Sequence, residues 1–232
     1  MIGPADYRSS DRVGGGILSR IAIFGAAGTA GVRIAGEALP RGHTVLSVVR
    51  NAASTQIMPG SELVEGDALD ADFVAGICPS VDVIVIAVGS RDGNPAFEVA
   101  KNMVAVVSAA KVPRPRLIHM GGGGSLLTPD GTRIVDSPGF PVAFLGSARA
   151  QAAALDHYRE HASACGVSWT FISPPPVYFE PGQRLGMYRT GLDGPVVDAA
   201  GRSSISYEDF ATAILDEIEE PHFVDQRFTV GY

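Results

Sequence analysis

The stretch "AIFGAAGTAGVRIAGEAL" (22–39) passes from a short apolar run, through Gly25, Gly28 and Gly31, into an amphipathic pattern. An apolar run that ends in glycine and reopens as a helix reads as the turn of a βαβ unit. Gly25 is expected to make the tight turn out of the strand. Gly28 lets the main chain approach a pyrophosphate, and Gly31 lets the helix pack close to the sheet. The helix then presents unpaired N–H groups and the positive end of its dipole to the phosphates, and no charged side chain is needed. A glycine triplet alone is a weak signal; its position between a strand and a helix, in the first βαβ unit, gives it force.

Downstream, short β-branched runs alternate with helical patterns. Strands are expected at 21–24, 43–49, 61–66, 81–88, 116–120 and 168–173, with a closing strand in "RFTVGY". Helices are expected at 28–39, 95–110, 147–164 and 207–219. Phe97, Ala100, Val104 and Val107 mark the apolar face of the second, and Gly166 a left-handed stop after the third. Ser206 and Asp209 form a capping box before Phe210, Ile214 and Leu215. This rhythm implies an α/β fold with a parallel sheet covered on both faces. Residues 1–19 read as a flexible extension and 20–232 as a single domain. Two Gly/Pro-rich stretches, "GGGGSLLTPDGTRIVDSPGFP" (121–141) and "PPPVYFEPGQRLGMYRTGLDGPVVDAAGRSS" (174–204), each follow a strand. Ligands sit beyond the carboxyl ends of strands in such sheets, so substrate loops are expected at 121–146 and 174–206, with a surface hairpin at "TGLDG" as the plainer reading of the second.

The chain has 232 residues and a net charge of −7, and its 18 basic residues are scattered, which argues against nucleic acid as a partner. No run is long and apolar enough to span a bilayer. Two cysteines, Cys78 and Cys165, suit a reducing compartment and offer no metal-ligand spacing, so a cytoplasmic protein without a metal is expected. The expected partner is a small molecule, and the oligomeric state is left open between monomer and homodimer.

An NAD site usually places Asp or Glu at the end of the second strand for the ribose 2′-hydroxyl, whereas arginine there accepts a 2′-phosphate. This strand ends "SVVRN", and no carboxylate stands in that segment. Arg50 therefore points to NADP(H) as the preferred cofactor, with NAD(H) possible. In "EGDALD", Asp67 is placed to meet the adenine amino group or to make an ordinary turn. At the end of the fourth strand, Ala87 and Gly89 are small enough for close approach of the cofactor.

Together these residues make the chain similar to the atypical short-chain dehydrogenase/reductases, in the NmrA-like branch that includes NADH-flavin reductases. The resemblance spans about 20–232. It is carried by "GAAGTAG" (25–31), "GHTVLSVVRN" (42–51), "EGDALD" (65–70), "GGGGSL" (121–126), "VDSPGFP" (135–141), "WTFISP" (169–174), "FEPGQRLGMYR" (179–189) and "RSSISYEDFATAILDEIEEPHFVDQRFTVGY" (202–232). It implies a Rossmann-type doubly wound parallel sheet, a small C-terminal substrate-binding region and a nicotinamide cofactor. By position, Gly25, Gly28, Thr29 and Gly31 fall at the pyrophosphate and Arg50 at the 2′-phosphate. Asp67 and Ala68 fall beside adenine, Ala87 and Val88 at the ribose, and Gly121 and Gly122 on the nicotinamide side, with Pro174 nearby in "SPPPVYF". Ala27 departs from the threonine of many relatives but leaves the backbone cradle intact.

Typical carbonyl reductases of the superfamily use Tyr-x-x-x-Lys, in which lysine lowers the tyrosine pKa. Here no lysine follows Lys111, and Tyr158 has Ala162 four residues on. The expected activity is therefore hydride transfer from NAD(P)H to a flavin, quinone or polycyclic ketone without a Tyr-Lys pair. A non-catalytic NADP sensor, or a tailoring dehydratase or isomerase, is the alternative. Ser125 and Tyr188 are the candidate catalytic residues, and both are also candidates for substrate contact. Phe144, Tyr178 and Phe179 complete the substrate set, although core packing is the simpler reading of Phe144 and Phe179. His119, inside a strand, reads as a core histidine, and Asn102 as an exposed helical residue.

Overall fold

A computed structural model describes residues 8–9, 18–89, 95–111 and 113–232. Most of the expected 1–19 extension lies outside them. The strands are β1 (Arg8–Ser9), β2 (Arg20–Phe24), β3 (Thr44–Val49), β4 (Glu62–Glu65), β5 (Val83–Ile86), β6 (Arg116–Met120), β7 (Trp169–Ser173), β8 (Tyr178–Glu180), β9 (Met187–Gly191), β10 (Ser204–Ser206) and β11 (Gln226–Gly231). The α-helices are α1 (Thr29–Ala38), α2 (Ala71–Ile77), α3 (Ala96–Ala109), α4 (Val142–His157) and α5 (Tyr207–Glu219).

Nine strands form one sheet in the order β1-β9-β11-β7-β6-β5-β2-β3-β4, parallel from β4 through β11 and antiparallel where β9 and β1 join its edge. The chain runs outward from β2 to β4 and then returns to β5 on the other side of β2. This places a topological switch point between β2 and β5, where a doubly wound Rossmann-type sheet opens a crevice. Continuous β-branched runs such as "VIVI" in β5 are buried on both faces. One face packs Phe24, Leu46, Ile84, Leu117 and Phe171 against α2, α3 and α4. The other packs Ile21, Ile23, Val85, Ile118 and Phe228 against α1 and α5.

Several sequence expectations are sharpened by the structure. α2 has only seven residues, too few for a periodic signal, and is started by Asp70, whose carboxylate accepts from the Asp72 and Phe73 N–H groups. α4 begins at Val142, five residues before the expected 147, and ends in a widened turn over Tyr158–Ala162; Gly166 then provides the left-handed stop. Ser206 caps α5 by accepting from the Asp209 N–H at 3.0 Å. Asp209 does not complete a reciprocal box. Its buried carboxylate instead accepts from the N–H groups of Leu185 and Gly186. The second stretch expected as a substrate loop contains three strands. β8 pairs with β10 in a small parallel ribbon, and β9 adds to β11, so "TGLDG" is no local hairpin. Long-range pairing overrides the local turn signal there.

Candidate active site

At the crevice, Gly25 has φ of +81°, and a Cβ there would lie 2.6 Å from the Ala87 carbonyl oxygen. The exit of β2 and the exit of β5 therefore touch, with Val88 beside them. A Cβ on Gly31 would fall 2.2 Å from the Gly25 carbonyl oxygen, so α1 starts hard against the loop that precedes it. Gly28 occupies the N-cap, bonds its N–H to Gly25 at 2.9 Å, and has no side chain to accept from the first-turn N–H groups. Ala27, Gly28 and Thr29 are exposed, and the first turn carries no acidic residue. The cradle thus offers free main-chain donors and a positive helix end, which suits a pyrophosphate. Arg33 braces it from below, donating to the Thr29 carbonyl at 2.8 Å and to Glu208 of α5 at 2.6 Å.

Arg50 projects from the end of β3 and is exposed, with no hydrogen-bond or ion-pair partner among the described residues. The corner nevertheless holds a carboxylate that the segment "SVVRN" does not reveal. Glu65, paired opposite Val49 from β4, accepts from the Ala52 N–H at 2.8 Å. Asp67 accepts from the Leu69 N–H through Oδ1 at 2.9 Å and so makes the turn chemistry expected of it. Asn102 is not the exposed residue expected from sequence. It is half-buried and donates to the Ala68 carbonyl at 2.8 Å, tying α3 to the 67–69 turn. No sequence pattern would have found that contact across 34 positions.

The other end of the crevice is walled by side chains. Gly121 donates to the Ile172 carbonyl at 2.8 Å, and a Cβ there would lie 1.9 Å from the Phe171 ring. Gly122 packs on Gln151 of α4, and Gly123 on the main chain of Pro174 and Pro176. Beneath the loop, His119 stacks on Phe171 with ring centroids 5.0 Å apart, and its Nδ1 lies 3.2 Å from the Tyr158 hydroxyl. Complete burial pushes the His119 pKa down to about 4, partly countered by Gln151, and pushes the Tyr158 phenol well above its ordinary value. The histidine is therefore neutral and its nearest hydroxyl is not ionised, in keeping with a core role.

Both candidate catalytic side chains are buried and hydrogen-bonded within the protein. Ser125 is 1% exposed and donates to the Gly122 carbonyl at 2.8 Å, with Ser173 Oγ at 3.3 Å, which ties it to the underside of the loop. Tyr188 is 2% exposed in β9 and donates to Asp216 of α5 at 2.6 Å, within the α1/α5 core. Its place in an apparent loop hid the strand β9, which pairs with β11 through Arg189–Gly191 and places Tyr188 opposite Arg8 of β1. Phe179 packs on Tyr207 and Phe210, with centroids 3.9 and 4.9 Å away. Phe144, on the first turn of α4, and Tyr178 are each half exposed. Tyr178 also lines a cavity of about 370 Å³ with Glu180, Leu185, Ile205 and Tyr232.

The two Gly/Pro-rich stretches are joined through a residue the sequence did not single out. Buried Arg227 of β11 donates to the Ser125 carbonyl at 3.2 Å and to the Asp193 carboxylate, while the Leu127 N–H donates to the Asp193 carbonyl at 2.8 Å. No group of His, Cys, Asp and Glu among the described residues could hold a metal ion, and no helix there is long and apolar enough to cross a membrane.

A family model described as NAD(P)H-binding matches residues 25–221. The chain is 37% identical over 215 residues to the uncharacterized protein YwnB of Bacillus subtilis, covering 91% of this chain and 97% of that protein. Among solved structures, a Bacteroides thetaiotaomicron protein provisionally called an epimerase superposes with a TM-score of 0.83 at 32% identity, covering 93% of this chain and 98% of its own. A Streptococcus pneumoniae protein provisionally called an NADH-flavin reductase superposes with a TM-score of 0.79 at 28% identity, covering 92% and 99%. With its glycine cradle at the switch point and a family match over residues 25–221, the chain belongs to the NAD(P)H-binding family, in the atypical short-chain dehydrogenase/reductase, NmrA-like group.

Proposed function

We propose that the protein is an NAD(P)H-dependent reductase that passes hydride to a flat, conjugated small molecule, a flavin, quinone or polycyclic ketone, with NADP(H) preferred and NAD(H) accepted. The observation that carries this reading is the open N-terminus of α1, whose main-chain donors face the crevice beside Ala87 and Val88. When bound, a reduced nicotinamide supplies the hydride. The chain holds the phosphates at 25–31, meets a 2′-phosphate with Arg50, and flanks the nicotinamide side with Gly121, Gly122 and Pro174. Asp67 and Ala68 border the adenine, and Ala87, Val88 and Gly89 the ribose. Tyr178 and Phe144 are exposed apolar surfaces that would border a planar acceptor.

In this reading, no acid among the described residues serves the acceptor. The Tyr158 hydroxyl is enclosed against His119, no lysine follows Lys111, and Ser125 faces inward. An acceptor with a delocalised electrophilic centre takes its proton from water, so the chain contributes proximity and orientation, effects worth about 7 kcal/mol or more when geometry is good. The test is steady-state oxidation of NADPH in the presence of flavins, quinones and polycyclic ketones. Saturable turnover with at least one class is expected. Tight nucleotide binding with no turnover in any class overturns the reductase reading in favour of a sensor, and conversion of a ketone without net NADPH loss favours an isomerase or dehydratase.

A further inference from the structure

We infer that Glu65 sets the balance between NADP(H) and NAD(H), a reading that rests on the nucleotide site proposed above. β3 and β4 leave the sheet together, because Val49 pairs with Glu65 and the Gly66 N–H donates to the Val49 carbonyl at 2.9 Å. The chain then turns through Arg50 and Asn51, and that turn closes on itself. Asn51 Oδ1 accepts from the Ser54 N–H at 3.2 Å, and the Thr55 hydroxyl donates to the Asn51 carbonyl at 2.5 Å. The Ala52 N–H is taken by Glu65 Oε2 at 2.8 Å.

A carboxylate of the protein thus binds the main chain two residues beyond Arg50, in the turn where Arg50 is proposed to meet a 2′-phosphate. Its effect on the two cofactors differs in kind. A phosphate carrying up to two negative charges is repelled by the carboxylate, loses the Ala52 donor, and finds the field of Arg50 partly cancelled. A ribose 2′-hydroxyl is uncharged and can donate to a carboxylate, the partner such hydroxyls use in NAD sites. Glu65 therefore works against Arg50, and the pair keeps the site open to both nucleotides. Glu65 and Arg50 are both exposed, so the effect is a screened surface interaction of moderate size.

The experiment measures dissociation constants for NADP+ and NAD+ by titration calorimetry at one fixed, low ionic strength. The proteins are the wild type, Glu65→Gln, Glu65→Asp and Glu62→Gln. Glu65→Gln removes the charge and keeps the shape, so the preference for NADP+ over NAD+ is expected to rise about three- to tenfold. Glu65→Asp keeps the charge and should stay close to wild type. Glu62, which pairs with Arg20 at 3.2 Å at the other end of β4, controls for net charge alone. An unchanged ratio in Glu65→Gln, or an equal rise in Glu62→Gln, overturns the assignment to Glu65 while leaving the nucleotide site intact. Binding of neither nucleotide by the wild type overturns the site itself. Thermal unfolding of each variant checks that an exposed substitution has left the fold in place.

Discussion

At the phosphate end of the crevice, the groups that face the ligand belong to one short segment, 25–31, and they are main-chain N–H groups whose direction follows from the turn and the helix. At the hydride end, the loop at 121–124 is shaped by Phe171 from β7, Gln151 from α4 and Pro174–Pro176, and it is bolted to the second loop by Arg227 from β11. One end uses local geometry and no side-chain charge. The other uses side chains brought together from distant parts of the chain, and its candidate polar groups turn inward. In the proposed reading, precision lies at the phosphates, and the proposed acceptor end is a wall shaped by packing.

The sharpest way to break this contrast is Gly31→Ala. The new methyl would sit 2.2 Å from the Gly25 carbonyl oxygen, against main chain that cannot yield cheaply. Nucleotide affinity is expected to fall on the order of a hundredfold, about 3 kcal/mol, with a lower unfolding midpoint, as calorimetry and thermal melts will show. A variant that binds like wild type would mean that the cradle does not depend on this contact.

A comparable energy is stored at the other end as pH dependence. His119 has its folded pKa depressed from about 6.5 to about 4 by burial, so the unfolded chain binds more protons than the folded one between those values. Stability then rises with pH through that window: it is full above the unfolded pKa, and up to about 3 kcal/mol is lost as pH falls toward 4. Urea unfolding of wild type and His119→Phe at pH 7 and pH 4.5 should show this loss in the wild type alone.

Arg227→Met sharpens the contrast functionally. It leaves the Ser125 carbonyl and the Asp193 carboxylate without this donor, and about 2 kcal/mol of stability should be lost. The KM for acceptor should rise while the dissociation constant for nucleotide stays put. Equal losses at both sites would show the two ends to be one mechanical unit. Arg50→Asp acts only on the nucleotide side, and NADPH affinity is expected to fall about tenfold or more with NADH changed less than about threefold. The smallest effect is reserved for Tyr158→Phe, which removes the hydroxyl facing His119. About 1 kcal/mol of stability should go and kcat should stay within about threefold, whereas a drop of about a hundredfold or more would reveal a proton relay.

The turn geometry around Gly25 and Gly31 was readable from residues alone. The triplet at 25, 28 and 31, Arg50 at a strand end and the small residues at 87–89 carry geometric demands that depend on a few neighbouring positions, and the structure brings Gly25 against Ala87 as those demands require. The burial of Ser125 and Tyr188 was not readable in this way. Ser125 and Tyr188 were placed by their neighbours in sequence, but the side a hydroxyl faces depends on what packs beneath it. For Ser125 that is Ser173, and for Tyr188 it is Asp216 of a helix that comes later in the chain.

From the order of its residues alone, this chain specifies an alternating α/β sheet and a phosphate-binding turn, because glycine positions and hydrophobic period act over a few residues. The tertiary structure decided which polar side chains turn inward and that Glu65 binds the main chain two residues beyond Arg50. These outcomes depend on pairings between strands and helices far apart in the chain, where side chains meet only after the sheet has closed.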